Sequence, residues 1–154
     1  NQNIDKNLPP ANGNPTLLKQ VFINLYKNAC EAMRNSTVKV IDISCKAGDG
    51  LDLRKWGQSP KSGDSPHFRQ PPFLQIEFSD TGPGIPPEIL KKLFTYGVTT
   101  KGTKGSGIGL NQAKAMIEKF GGFIKVESQK DKGTKFIIGL PAWQDKTEEL
   151  KNVG

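Results

Sequence analysis

Three groups of residues in this chain could hold or act on a charged ligand. Gly105, Gly107 and Gly109 alternate within KGSGIGL (104–110), with Lys101 and Lys104 beside them. Without Cβ atoms these positions let backbone amides turn onto a polyanion such as a phosphate. A helix starting at the same place would add unpaired N–H donors and its positive dipole end. A flexible connector into a helix would show the same glycines. Asn24 and Asn28 are four apart, hence on one face of a helix, beside an apolar stripe rather than opposite it. Asparagine is a mediocre helix former. Two of them bordering a core read either as carboxamides aimed into a pocket or as groups bonded to solvent or a neighbouring backbone.

Asp80 shares parity with Leu74, Ile76 and Phe78 in an alternating run. A carboxylate on the core-facing side of a strand is costly unless hydrogen-bonded, and once ionised it can only accept. A donor should therefore await it, from a ligand, from the turn amides that follow, or from a helix it caps. Gly82 and Gly84 in TGPGI (81–85) remove bulk beside it. Thr134 has the parity of Phe136, Ile138 and Leu140, which turns its hydroxyl inward at the start of a strand.

The elements that must position these groups follow from periodicity. Asn14-Pro15 reads as a cap followed by proline in the first helical turn. Leu18, Val21, Phe22, Leu25, Ala29, Cys30 and Met33 then recur at helical spacing to about Arg34. Alternation predicts strands over 37–45, 73–80, 123–128 and from Gly133 onward, with a strand remnant around Ile4. Pro86 to Leu93 reads as a short helix, and Gly107 to Phe120 as an amphipathic one stopped by Gly121-Gly122. The stretch from Phe94 to Lys104 reads as a basic, mobile loop anchored by Phe94 and Tyr96, which would serve equally as plain core. Residues 46–72 hold eight glycines and prolines with few apolar residues, longer than a compact domain usually tolerates as a loop, and read as an insertion or contact surface. His67 lies within it, proline-flanked and without a held partner, and reads as a bystander.

Length and charge set bounds. A chain of 154 residues is one domain able to bury a core without staples. No apolar run approaches the roughly 20 residues of a membrane span, and no charged-then-apolar leader opens the chain, so it reads as soluble. Cys30 and Cys45, read in apolar surroundings, suit a reducing cytoplasm better than a disulfide framework. Beginning at Asn1 without Met, the chain reads as a piece of something larger. The net charge of +7 would suit nucleic acid, an anionic ligand or solubility alone. The lysines form no single stripe, which favours a nucleotide over a polymer.

The set NLYKNACEAM (24–33), DTGPGIP (80–86), LFTYGVTTK (93–101), GSGIGL (105–110) and GTKFIIGLP (133–141) resembles the N, G1, F and G2 boxes and closing GT strand of the ATP-binding catalytic domain of sensor histidine kinases, in the GHKL superfamily, with a nitrogen-regulation flavour. The resemblance implies an α/β (α+β) two-layer sandwich of the Bergerat type. It would have a mixed sheet, helices on one face and a mobile ATP lid, with a single domain whose core spans about 14–141 and whose polar tail is 142–154. It implies ATP and Mg²⁺ as cofactors. Asp80 would accept from the adenine 6-amino group, with Gly82, Gly84 and Ile85 bringing backbone close to the base and Thr134 supporting the contact. Asn28 would ligate Mg²⁺, Asn24 would stand on the phosphate or metal side, and Lys27 would contact phosphate unless merely solvated. Phe94, Thr99, Thr100, Lys101, Lys104, Gly105, Ser106, Gly107, Ile108, Gly109 and Leu110 would form the lid and phosphate loop. Lys101 or Lys104 would neutralise charge on the transferred γ-phosphoryl.

Two departures bear on mechanism. Glu31 stands where many members carry a basic residue. Asn24 stands where the gyrase, mismatch-repair and chaperone ATPases carry a glutamate general base, and an amide cannot take a proton from water. Slow hydrolysis and transfer to a histidine on a separate dimerisation domain are implied, since His67 does not match the acceptor motif. A response-regulator receiver would lie downstream. The fragment is expected to be monomeric, to contact neither nucleic acid nor membrane, and to lack autophosphorylation. A gyrase-like ATPase and a nucleotide-responsive module, either a degenerate kinase or an anti-sigma-like serine kinase, are the alternatives.

Overall fold

A computed structural model of the chain describes residues 1–48, 72–95 and 109–143. The elements run β1 (Gln2–Ile4), α1 (Pro15–Ala32), β2 (Ile41–Gly48), β3 (Phe73–Asp80), α2 (Pro87–Leu90), α3 (Gly109–Lys119), β4 (Phe123–Gln129) and β5 (Gly133–Pro141). They build one sheet in the order β1-β2-β3-β5-β4. β1 pairs parallel to β2 and every other pair is antiparallel, so the sheet is mixed, as expected.

α1 starts where its sequence says it should. The Asn14 side chain accepts from the Thr16 and Leu17 amides at 2.9 and 3.1 Å, with Pro15 supplying no amide of its own. Its apolar face buries Val21, Leu25, Ala29 and Met33 against Ala113 and Ile117 of α3 and against Phe78, Ile124, Phe136, Ile138 and Leu140 of the sheet. Those strand residues share one face, since Phe78 pairs with Phe136 and Ile124 with Ile138. The helices therefore cover a single side of the sheet. Phe78, Leu25, Ile117, Ile138, Leu140 and Val21 are all but fully buried, each contributing about 1.5–3 kcal/mol by removal from water. α3 stops where Gly121 turns to a φ of 76°, a conformation that costs glycine little.

Several boundaries differ from the sequence reading. β2 begins at Ile41 and continues to Gly48, because Lys46, Ala47 and Gly48 find partners in Gln75, Leu74 and Phe73. The helix expected over 86–93 shortens to Pro87–Leu90 and continues as turns. Cys30 is exposed rather than set in apolar surroundings, because one step past the buried Ala29 rotates it out of the stripe. Ala142, read as the start of a polar tail, is buried. It bridges to Ala11, while the Trp143 amide donates to the Pro10 carbonyl at 2.8 Å. The parts of the expected insertion, lid and tail at 49–71, 96–108 and 144–154 lie outside the described residues, His67 and Tyr96 among them.

Candidate functional site

Asp80 closes β3 on the helix-covered face, only 8% exposed. Its Oδ1 accepts from the Gly82 amide at 2.9 Å, so one of the turn donors foreseen for it is in place. Burial pushes its carboxyl above the ordinary aspartate range, and hydrogen bonds from the Gly82 and Thr134 amides pull partly against that rise. Gly82 has no room for a side chain: a Cβ there would lie 2.8 Å from the carboxylate oxygen, with Met33, which caps α1, and Ala32, its last residue, at 3.4 and 3.5 Å. The turn that follows is held from two sides. Gly84 adopts a φ of 73°, the Asp131 amide donates to the Pro83 carbonyl at 2.8 Å, and the Ile85 amide donates to Ser128 Oγ at 2.8 Å. Thr81 ties the same turn to the start of β2: its hydroxyl accepts from the Val40 amide at 3.0 Å and donates to the Val38 carbonyl at 3.2 Å.

Register places Thr134 directly opposite Asp80, and Ser128 directly opposite Thr134. Asp80, Thr134 and Ser128 thus form one row across β3, β5 and β4 on the inward face. Thr134 is buried, as its parity foretold. Ser128 was not foreseen. Its parity with Ile124 and Val126 was legible, but a hydroxyl at a strand end ordinarily points to water.

The opposite end of the site lies along α1. A Cβ at Gly109 would sit 2.5 Å from Asn24 Oδ1 and 2.7 Å from its Nδ2, so the first residue of α3 rests on the Asn24 carboxamide. Asn24 and Gly109 also line a cleft of about 110 Å³ with Gln20, Val21, Gln112, Ala113 and Met116. Gly82 touches α1 at Ala32, eight residues from Asn24, which is about 12 Å of helix rise. Asn28 falls midway between the two contacts and is partly buried. An inward carboxylate at one end, a helix start at the other and two carboxamides between them suit an elongated ligand with a hydrogen-bond donor at its head and negative charge at its tail.

Of the remaining expected residues, Lys27 is exposed, while Ile85, Phe94 and Leu110 are partly buried and packed against the core. The Phe94 carbonyl accepts from Asn111 Nδ2 at 2.7 Å, a pin from α3 to the segment after α2 that the sequence reading also missed. Thr99, Thr100, Lys101, Lys104, Gly105, Ser106, Gly107 and Ile108 lie outside the described residues.

The family model described as histidine kinase-, DNA gyrase B- and HSP90-like ATPase matches residues 13–144. The sensory histidine kinase/phosphatase NtrB of Rhizobium meliloti (strain 1021) is 36% identical over 143 residues, 92% of this chain and 34% of that protein. The chain thus spans about a third of the length of such curated relatives. Among solved structures, the nucleotide-free catalytic domain of the histidine kinase ThkA superposes with a TM-score of 0.61 at 28% identity, over 92% of this chain and 76% of that one. Full-length ShkA, solved in complex with AMPPNP, superposes at 0.64 with 18% identity over 94% and 26%, a likeness of fold.

Proposed function

Because the chain belongs to the histidine kinase-, DNA gyrase B- and HSP90-like ATPases, in the branch of sensor histidine kinases, we propose that it binds Mg-ATP and presents the γ-phosphoryl group to a histidine on a separate dimerisation domain. The observation that carries this reading is the buried Asp80 beside the bare Gly82 and opposite Thr134. A carboxylate there accepts from an adenine 6-amino group without steric hindrance. Asn24 and Asn28 then run toward the phosphate end, where α3 begins at Gly109. Mg²⁺, when bound, would neutralise phosphate charge. A carboxamide oxygen is a suitable hard ligand for a cation that keeps most of its water, and Asn28 is the residue that would give one. Asn24 offers no base to activate water, so the protein nucleophile rather than hydrolysis is favoured. The same reading makes 1–154 one catalytic domain, monomeric and cytoplasmic, with core 14–141, and assigns the lid residues 99–101 and 104–108 to the phosphates. Among the described residues no helix is long and apolar enough to cross a membrane.

The test is transfer in trans. Labelled γ-phosphate should move from ATP to the histidine of a separately made dimerisation domain, and steady release of ADP and phosphate without labelling would support an ATPase instead. Replacing Asn28 by Ala should weaken Mg-ATP binding about tenfold, the worth of one ligand among several, and make the remaining affinity insensitive to EDTA. Calorimetric titration with and without Mg²⁺ checks this.

Acidity should act on the free and bound forms in opposite senses. Asp80 has its carboxyl raised by burial, so the unliganded fold gains stability from it below the ordinary aspartate range and loses that gain as pH rises through the folded value. Adenine needs the ionised form as acceptor, so ATP affinity should fall as pH drops through the same value, at higher pH than an unperturbed aspartate would give. Titrations carried from neutral pH into the acid range should show this step in the wild type and lack it in Asp80→Asn, the contribution from protonation of the nucleotide's own phosphate being common to both.

A further inference from the structure

We infer that Ser128 is a positioning residue for purine selectivity: by fixing where the Thr134 hydroxyl proton goes, it makes the corner beside Asp80 a pair of acceptors that favours a 6-amino over a 6-oxo purine. This rests on the nucleotide reading above and adds a determinant to it. The argument is a count of protons and lone pairs. Ser128 Oγ lies 2.8 Å from the Ile85 amide, 2.9 Å from the Gly133 carbonyl and 3.1 Å from Thr134 Oγ1. An amide can only donate and a carbonyl can only accept. Ile85 therefore fills one lone pair of Ser128, and the single Ser128 proton goes to Gly133. That leaves Ser128 one lone pair for Thr134, so Thr134 must be the donor in the contact between the two hydroxyls. Thr134 Oγ1, its proton spent, keeps only lone pairs for any other partner. Asp80, ionised, is likewise an acceptor only, and the register sets it directly opposite Thr134.

The 6-amino group of adenine has two protons, one for each of these acceptors, whereas the carbonyl of hypoxanthine or guanine meets both of them lone pair to lone pair. Without the Ser128 oxygen, the Thr134 hydroxyl is free to rotate and donate, and the rejection of a 6-oxo purine loses one of its two causes. A role confined to holding the turn at Ile85 would weaken all purines alike, so the ratio of affinities separates the two roles.

The experiment is calorimetric titration of the chain with ATP and with inosine triphosphate. Ser128→Ala should reduce the ATP preference roughly three- to tenfold, the factor one neutral hydrogen bond carries. Ser128→Thr, which keeps the oxygen, should restore it. A Ser128→Ala ratio equal to wild type, with both nucleotides weakened together, would overturn the inference. A wild type that binds neither nucleotide would overturn the nucleotide reading and this inference with it. Should Ser128→Ala fail to fold, the hydroxyl-proton spectrum of the unaltered chain decides. A slowly exchanging Thr134 hydroxyl proton close to Ser128 supports the assignment, and a freely exchanging one refutes it.

Discussion

Asp80→Asn should cost roughly a hundredfold in ATP affinity while leaving the fold intact. The substitution keeps volume and one acceptor oxygen, so the Gly82 amide retains its 2.9 Å partner. What changes is the other edge of the group, where an NH₂ donor replaces a carboxylate oxygen and meets the 6-amino donor of adenine. Losing a charge-assisted hydrogen bond and setting donor against donor amounts to about 3 kcal/mol, which is roughly a hundredfold. Stability should move the other way or not at all, because the amide escapes the desolvation that raises the Asp80 carboxyl. Calorimetry paired with thermal melting reads both. An ATP affinity within about threefold of wild type would mean that the base is recognised elsewhere.

Gly133→Ala should be the most damaging single change to the fold among those considered. Gly133 opens β5 at a φ of 91°, a conformation that strains residues with a Cβ. An added Cβ would also stand 1.9 Å from the Asp80 carbonyl oxygen and 3.2 Å from Thr81 Cα. Neither is the end of a flexible side chain, so backbone must move. Strain and overlap together cost about 3–5 kcal/mol, a large part of the roughly 5–15 kcal/mol that holds a domain folded. The melting temperature should fall on the order of 10 °C. Gly121→Ala is the control. It shares a positive φ, 76°, but its Cβ would meet nothing nearer than 3.6 Å, so it should lose only about 1 kcal/mol. Equal losses for the two variants would show that the contact with Asp80 carries no weight.

Much of the site was legible because it rests on local periodicity. The inward turn of Asp80 and Thr134 follows from counting by twos, and the shared face of Asn24 and Asn28 from counting by fours. The cap at Asn14 needed only the two consecutive residues Asn14 and Pro15. What escaped were groups whose partners are distant in sequence. Ser128 matters only because β5 brings Thr134 beside it and the turn after β3 brings the Ile85 amide. The parallel pairing of Gln2–Ile4 with β2 and the bridge from Ala11 to Ala142 are likewise long-range facts that no local pattern announces. Cys30 failed for the opposite reason: the spacing was right, but it stands at the stripe's edge, where one residue of rotation decides between core and water.

The order of the strands in the sheet bears on how the chain reaches this state. β5 is made last, yet it is inserted between β3 and β4. A nascent chain ending before Gly133 leaves one side of β3 without its ladder, an open template for mispairing. Such distant closure is slow, on the order of milliseconds to seconds. On the proposed reading, nucleotide cannot help a half-made chain over that interval, because the corner assigned to adenine is not complete until Thr134 arrives.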